Sequence, residues 1–463
     1  MDKQRLQRYL ADAIIGIDTL WGGDVMNPSG TGRFIADCWF SDVPLPPAYT
    51  HPAASKLRES GGVTAPSPCS EAIAAYLDAV DVRGAIAGVL AEAAKEQSPL
   101  ADYLEAQAHS FEVMWDLAME MIGKGSPVPY DRCVRVVTGS APEPSDPTSK
   151  RQLLAELLCR AGYAAAGSSS SSSSAAAAVG SGSILQAVDR WRRDRLVPTA
   201  SIPALGAAFI AQLDSLVARN LLPYLPAEVS TTPRANVEFL SIKNAFFSGS
   251  MNYLGRARQP DGTPEYEATY EINASLQISI PEFQQLVSHE VVPGHVTTFA
   301  YLQRLHVLGK VGFEGTVLTM NTRAAALSEG IANNAILIAH GVKEVADLPD
   351  PDLQIGVLLT LLQDDAKNQS SYLTWNENLP KEEVAKVLRS DYLVSEERAD
   401  KLSGAWGRHP LLGRMYLPAY RFGTETVARL RHQHSPEKLL PVLYGMKGLV
   451  DTHNIEIVLR SLP

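Results

Sequence analysis

Four cysteines in 463 residues, Cys38, Cys69, Cys133 and Cys159, stand singly with no Cys-x-x-Cys pair. That spacing argues against a disulfide framework and a thiolate zinc cluster, and it fits a reducing cytoplasm. Basic residues are short as well: 41 Lys and Arg against 51 Asp and Glu give a formal net charge of -10. Nucleic acid needs a basic face to neutralise its phosphates, so no such partner is expected. No apolar run approaches the length of a membrane span, and no membrane partner is expected. Met1-Asp2-Lys3-Gln4-Arg5 leads into amphipathic sequence without an apolar core, so a secretory signal is not expected either. Also missing are a P-loop, a dinucleotide glycine pattern beside a strand, and a Gly-x-Ser-x-Gly elbow.

What the chain does have is helical periodicity. Leu6, Leu10, Ile14, Ile17 and Trp21 recur at three- to four-residue spacing and stop at Gly22-Gly23. Similar runs occupy about 71–95, 101–123, 151–166, 184–196 and 204–220. Residues 27–68, rich in Pro and Gly, read as a long ordered loop. Gly167 to Ser183 holds seven consecutive serines, Ser168 to Ser174, and buries little apolar surface, so it reads as a flexible loop. It divides an N-terminal helical lobe (1–166) from a C-terminal catalytic lobe (184–463). The two lobes are compatible with one structural domain.

Strand signals concentrate in one place. Tyr270, Ile272, Ala274, Leu276, Ile278 and Ile280 alternate with polar residues, the period of a half-buried strand. The run from Phe246 to Arg258, across the turn Gln259-Pro260-Asp261-Gly262, predicts an antiparallel hairpin partner. Pro281-Glu282 then opens a helix.

That helix carries Ser288-His289-Glu290-Val291-Val292-Pro293-Gly294-His295. Two imidazoles and a neighbouring carboxylate are what a catalytic zinc site needs. Six residues on a straight helix would set the two His about 240° apart, on different faces. Proline clashes with the preceding turn, so the helix must kink or end at Pro293, which can return His295 to His289. The best third ligand is Glu329, an acid inside the apolar run Ala324 to Ala332; an ion pair with Arg323 is the structural alternative.

The pattern His-Glu-x-x-Pro-Gly-His, followed by Glu329-Gly330-Ile331-Ala332 and by Tyr420-Arg421-Phe422-Gly423, resembles the bacterial domain-of-unknown-function family 885. That family is similar to the Taq-type carboxypeptidases. The resemblance covers about the C-terminal half of the chain. It implies zinc held by His289, His295 and Glu329, with Glu290 as general base. It also implies a mainly α-helical metallopeptidase-like fold with a central cleft and a small antiparallel sheet edge beside the zinc helix. Thr298, Ile331 and Ile336 stand where the family usually has Gln, Trp and an acidic residue, and these departures bear on substrate preference.

The expected activity is peptide hydrolysis by a carboxypeptidase or oligopeptidase. The alternatives are a non-catalytic binding protein on the same scaffold, or a hydrolase of another amide or ester. Tyr420 reads either as a donor to the oxyanion or as a buried aromatic with a bonded tip. Arg421 or Arg408 is suited to clamp a substrate carboxylate, and His409 to assist the oxyanion, although a structural role is open to each. Asp364 and Asp365 read as orienters of a zinc-bound His or as an exposed helical turn. His432 and His434 read as a surface pair.

Overall fold

Because helical periodicity is local, it carries over to the folded chain nearly residue for residue. The computed structural model of the protein describes residues 1–27, 35–163, 181–242, 249–273 and 277–462. It is 64% helix and 5% strand, with two small sheets. The first helix, Lys3–Leu20, is capped by the Asp2 carboxylate, which accepts from the backbone of Gln4 and Arg5 at 3.1 Å each. It buries Leu6, Leu10, Ile14 and Ile17, and ends at Gly22 with φ 87°. The expected run over 71–95 is two helices, Ser70–Ala79 and Val82–Ala93, since Asp81 caps a fresh start by accepting from Gly84 N at 2.9 Å. The 101–123 and 204–220 runs are the helices Pro99–Met121 and Ile202–Asn220.

Two expectations change, and one lies mostly outside the described residues. The stretch 27–68 is more than a loop: it holds strand β1 (Ala36–Trp39) and the helices Pro47–Thr50 and Pro52–Glu59, both opened by proline at the first turn. The serine tract falls mostly on residues outside those described, and the helix after it already begins at Ser181. One segment, Thr199–Tyr224, is by length and composition long and apolar enough to cross a membrane. Its leucines, isoleucines, valine and phenylalanine, with alanines between them, make it so. In the fold it packs through Ile202, Gly206, Leu213 and Val217 and leaves the alanines outward.

Strands β2 (Val237–Ile242), β3 (Gly249–Tyr253) and β4 (Ala268–Asn273) form the larger sheet in the order β2-β4-β3. The hairpin is present, with Met251 opposite Tyr270 and Tyr253 opposite Ala268. The sheet is mixed, because β2 joins the far side of β4 in parallel, Phe239 beside Tyr270. The strand is also shorter than its alternation, since Ser279 caps the next helix and Ile280 belongs to it. Strand β5 (Val317–Thr319) pairs antiparallel with β1, so the two halves of the sequence share a sheet. They share a core too: the N-terminal cluster around Leu10, Trp21 and Phe111 includes Ala326, Leu411, Met415 and Ala419.

The close approach that organises the C-terminal half lies between the helices Arg323–His340 and Leu417–Gln433. A Cβ on Gly423 would sit 1.8 Å from the Ala326 carbonyl oxygen, and one on Gly330 would sit 2.2 Å from that of Gly423. Only glycine fits either position, which explains both glycines of the sequence pattern. Gly423→Ala is therefore expected to melt below wild type in calorimetry, because overpacking against backbone typically costs 1–3 kcal/mol or more. Gly123→Ala is the comparison: its φ is 70° with nothing within 4 Å, so it isolates the backbone cost. Equal melting temperatures for the two variants would refute the crossing argument.

Candidate metal centre

The helix Ile280–Glu290 stops directly after the His-Glu pair, and a second helix, His295–Val307, begins at the other histidine. The rotation problem posed by the six-residue spacing disappears, because one imidazole closes a helix and the other opens the next. Gly294 permits this: a Cβ there would lie 1.7 Å from the His289 carbonyl oxygen. The connecting turn is pinned by Gly294 N to Ser288 O at 3.0 Å, Thr297 N to Val291 O at 3.1 Å, and the Tyr444 hydroxyl to Pro293 O at 3.0 Å. The two rings stand perpendicular with centroids 4.8 Å apart.

Glu329 comes from the helix Arg323–His340, whose start is fixed by Thr322 accepting from Ala325 N at 3.1 Å. Its carboxylate lies 3.5 Å from His289 Nε2 and 3.7 Å from His295 Nε2. One donor atom from each of the three residues lies within 4.8 Å of the others. Donors bound to zinc at about 2.1 Å in tetrahedral geometry stand about 3.4 Å apart, close to the His289–Glu329 separation. Glu329 Oε2 is buried and accepts no hydrogen bond among the described residues. A buried carboxylate oxygen without a donor is costly, and a dication between the three residues removes that cost. The donor set therefore fits zinc. Arg323, the alternative partner, turns instead to the Val136 carbonyl at 3.2 Å.

Behind the ligands runs a chain of hydrogen bonds. His289 Nδ1 donates to Asn333 Oδ1 at 2.8 Å, which leaves Nε2 as the lone-pair nitrogen facing Glu329. Asn333 Nδ2 donates to Asp364 Oδ2 at 2.7 Å and to Thr424 Oγ1 at 2.9 Å. Asp364 in turn accepts from Lys367 at 3.0 Å, and the Lys367 ammonium sits 3.2 Å from the centre of the Tyr420 ring. His295 Nδ1 pairs with Ser328 Oγ at 3.3 Å.

Charge is unevenly distributed here. Burial pushes the Glu290 carboxyl up to about 7, with Glu329 and Asp37 adding to the rise and His295 and Lys367 opposing it. Burial, His295 and Lys367 hold His289 down at about 3. On His295 burial also acts downward, but the carboxylates of Glu329, Glu290 and Asp37 outweigh it and lift the ring to about 9. On Glu329 burial acts upward, and is outweighed by His295, His289 and Lys367, which bring it to about 2. The pair His295–Glu329 is thus ionic without metal, and zinc would replace the His295 proton.

The other expected residues divide. Glu290 lies 4.0 Å from His289 Nε2, and with Tyr420, His289, Asn333 and Lys367 it lines a cavity of about 220 Å³. Asp364 acts on His289 through Asn333, as an orienter. Asp365 does not: it pairs with Lys150 at 2.7 Å. Arg421 is outside the cavity, its guanidinium bonded to Glu425 at 2.9 Å and to the Pro144 carbonyl at 3.2 Å, because the residue after Tyr420 points about 100° away on a helix. His409 is a cap: its Nδ1 accepts from Leu411 N and Leu412 N at 3.2 Å each, and burial holds the ring down at about 4, so it is a neutral acceptor. Arg408 binds the carbonyls of Ser403 and Leu379, and His432 pairs with Glu344 at 3.1 Å. Sequence reasoning missed Asn333 and Tyr416, whose hydroxyl donates to Glu329 Oε1 at 2.5 Å. Each stands four residues from a residue already singled out, Glu329 and Tyr420, and that spacing was the available signal.

No family model matches the chain, and no curated protein matches it. Among solved structures, a protein described as a candidate lipoprotein of Colwellia psychrerythraea aligns with a TM-score of 0.50 and 14% identity over 86% of this chain. This chain spans 64% of that protein's length, less than two thirds. A candidate lipoprotein of unknown function from Shewanella oneidensis aligns with a TM-score of 0.49 and 13% identity, over 91% of this chain and 79% of that one. The likeness to the Colwellia protein is one of fold alone.

The ligand set makes a direct expectation. Metal-free protein is expected to take up about one zinc per chain, read by elemental analysis after dialysis, and His289→Ala or Glu329→Ala is expected to lose it. Asn333→Ala is expected to keep the site but bind zinc roughly 10- to 100-fold more weakly, the usual effect of removing an orienting partner. Stoichiometric zinc at wild-type affinity in all three variants would overturn the assignment.

Proposed function

We propose that the protein is a zinc-dependent hydrolase of short peptides, of carboxypeptidase or oligopeptidase type. The observation that carries this reading is the convergence of His289, His295 and Glu329, with Glu329 Oε2 unpartnered and Glu290 beside them on the cavity wall. The resemblance of the motif to domain-of-unknown-function family 885 and the Taq-type carboxypeptidases supports it. So does the cavity, smaller than the roughly 300–1,000 Å³ of drug-sized ligand sites and lined by charges of both signs, which suits a polar peptide end. Cysteines that form no disulfide favour the cytoplasm.

Zinc held by the three ligands would supply a Lewis acid for the scissile carbonyl and acidify water toward neutrality. The residues of the chain do the rest. Glu290 accepts the proton of the attacking water at its carboxylate and passes it to the nitrogen of the leaving amine. Tyr420, on the same cavity, donates its hydroxyl to the carbonyl oxygen as that oxygen gains charge. Asn333 and Asp364 hold the His289 ring in the tautomer that presents Nε2.

Replacing Glu290 by Gln keeps size and removes the base. Glu290→Gln is expected to retain zinc and melting temperature while its turnover falls roughly 10²- to 10⁴-fold. A peptide-library digest read by mass spectrometry, with and without chelator, measures this. Full activity in the variant would assign the proton transfer elsewhere. A wild type that binds zinc without cleaving any peptide would favour a binding protein, and cleavage of esters alone would favour the other hydrolase.

A further inference from the structure

Glu329 is held asymmetrically. Its Oε1 accepts the Tyr416 hydroxyl at 2.5 Å and lies 3.7 Å from His295 Nε2, whereas its Oε2 accepts no hydrogen bond among the described residues and faces His289 Nε2 at 3.5 Å. A carboxylate binds metal through one oxygen or through both, and a strong donor on one oxygen decides between them. We propose that Tyr416 is a positioning residue that makes Glu329 a one-oxygen metal ligand through Oε2. This rests on the metal-site reading above and extends it to a residue outside the His-Glu pattern.

The local backbone is built for this purpose. Tyr416 closes a five-residue π-helical turn, Leu412–Tyr416, immediately before the helix Leu417–Gln433. Such turns are rare and tend to occur at functional sites, because the extra residue re-aims a side chain. The turn is clamped from several sides. His409 Nδ1 accepts from the backbone at its start. Arg414 binds Glu120 with two hydrogen bonds of 3.1 and 3.2 Å, donates to the Val128 carbonyl at 3.1 Å, and lies over the Trp375 ring at 4.6 Å. Ser371 donates to the Gly413 carbonyl at 2.5 Å and shares a 2.7 Å hydrogen bond with Tyr130.

Tyr416 itself is half-buried and packs against the Tyr420 ring, with centroids 4.9 Å apart. The hydroxyl occupies one lone-pair region of Glu329 in the folded chain. A carboxylate already oriented loses less freedom on binding, and its remaining oxygen is aimed. Orientation of this kind is worth 10- to 100-fold in metal affinity in comparable sites.

The test is zinc affinity, measured on full-length protein by competition with a chelator. Tyr416→Phe removes only the hydroxyl and is expected to weaken zinc binding roughly 10- to 100-fold, while Tyr420→Phe stays within about threefold of wild type. A structural role alone would lower the melting temperature of metal-free protein and leave zinc affinity unchanged. Should Tyr416→Phe not fold, the infrared difference spectrum of wild type on zinc binding decides. One-oxygen ligation widens the splitting of the carboxylate stretches, and two-oxygen ligation narrows it. Narrowed splitting, or wild-type zinc affinity in Tyr416→Phe, overturns the proposal. A wild type that takes up no zinc overturns the metal-site reading itself.

Discussion

Two backbones touch where Gly330 meets Gly423, and the site depends on that contact. With the Ala326 and Gly423 carbonyls filling the space where side chains would stand, the helices Arg323–His340 and Leu417–Gln433 approach more closely than any other residue would permit. Glu329 precedes one of these glycines directly, and Tyr420 stands three residues before the other. The crossing therefore determines what lies near the Glu329 carboxylate. It also brings Thr424 within 2.9 Å of Asn333, so one contact between main chains serves both the candidate ligand Glu329 and the residue bonded to the candidate ligand His289.

The remaining ligands obey a second constraint, local to the chain. Gly294 lets the backbone fold back onto His289, ending one helix and starting another within five residues. Neither constraint relies on charge. Geometry is imposed by steric exclusion around glycine, and only then do the ionic groups find one another.

Much of this was legible before any coordinates. Helices could be read because their period is local, and the break at Pro293 because proline forbids the continuation. The convergence of His289, His295 and Glu329 could be read because they fall on short, recognisable patterns. What escaped was long-range. The mixed order of the sheet depends on β2 finding the outer edge of β4, and nothing in either strand announces a parallel partner. Asn333 was passed over because an asparagine in an apolar helix carries no motif. Its value appears only once Asp364 and His289 are seen on either side of it. Arg421 was singled out for being next to Tyr420, yet neighbours on a helix face different directions, and it serves Glu425 and Pro144 instead. The membrane-length character of Thr199–Tyr224 is hard to read in the sequence, since Pro203, Gln212, Asp214 and Arg219 interrupt its apolar residues.

The three candidate ligands belong to one continuous stretch of chain, from His289 to Glu329, but their supports do not. Tyr416 is aimed by a turn tied to Glu120, and Asn333 leans on Asp364 and Thr424. On the zinc reading, a partly folded chain would hold the right donors in the wrong arrangement, and high affinity would need distant segments to have met. Zinc would act as a thermodynamic reporter of completed folding, favouring the finished molecule over every intermediate. At free metal a thousandfold above its dissociation constant that preference amounts to about 4 kcal/mol. For a chain whose sequence halves are sewn together by β1 and β5, the cellular metal supply would then be part of what keeps the native state populated.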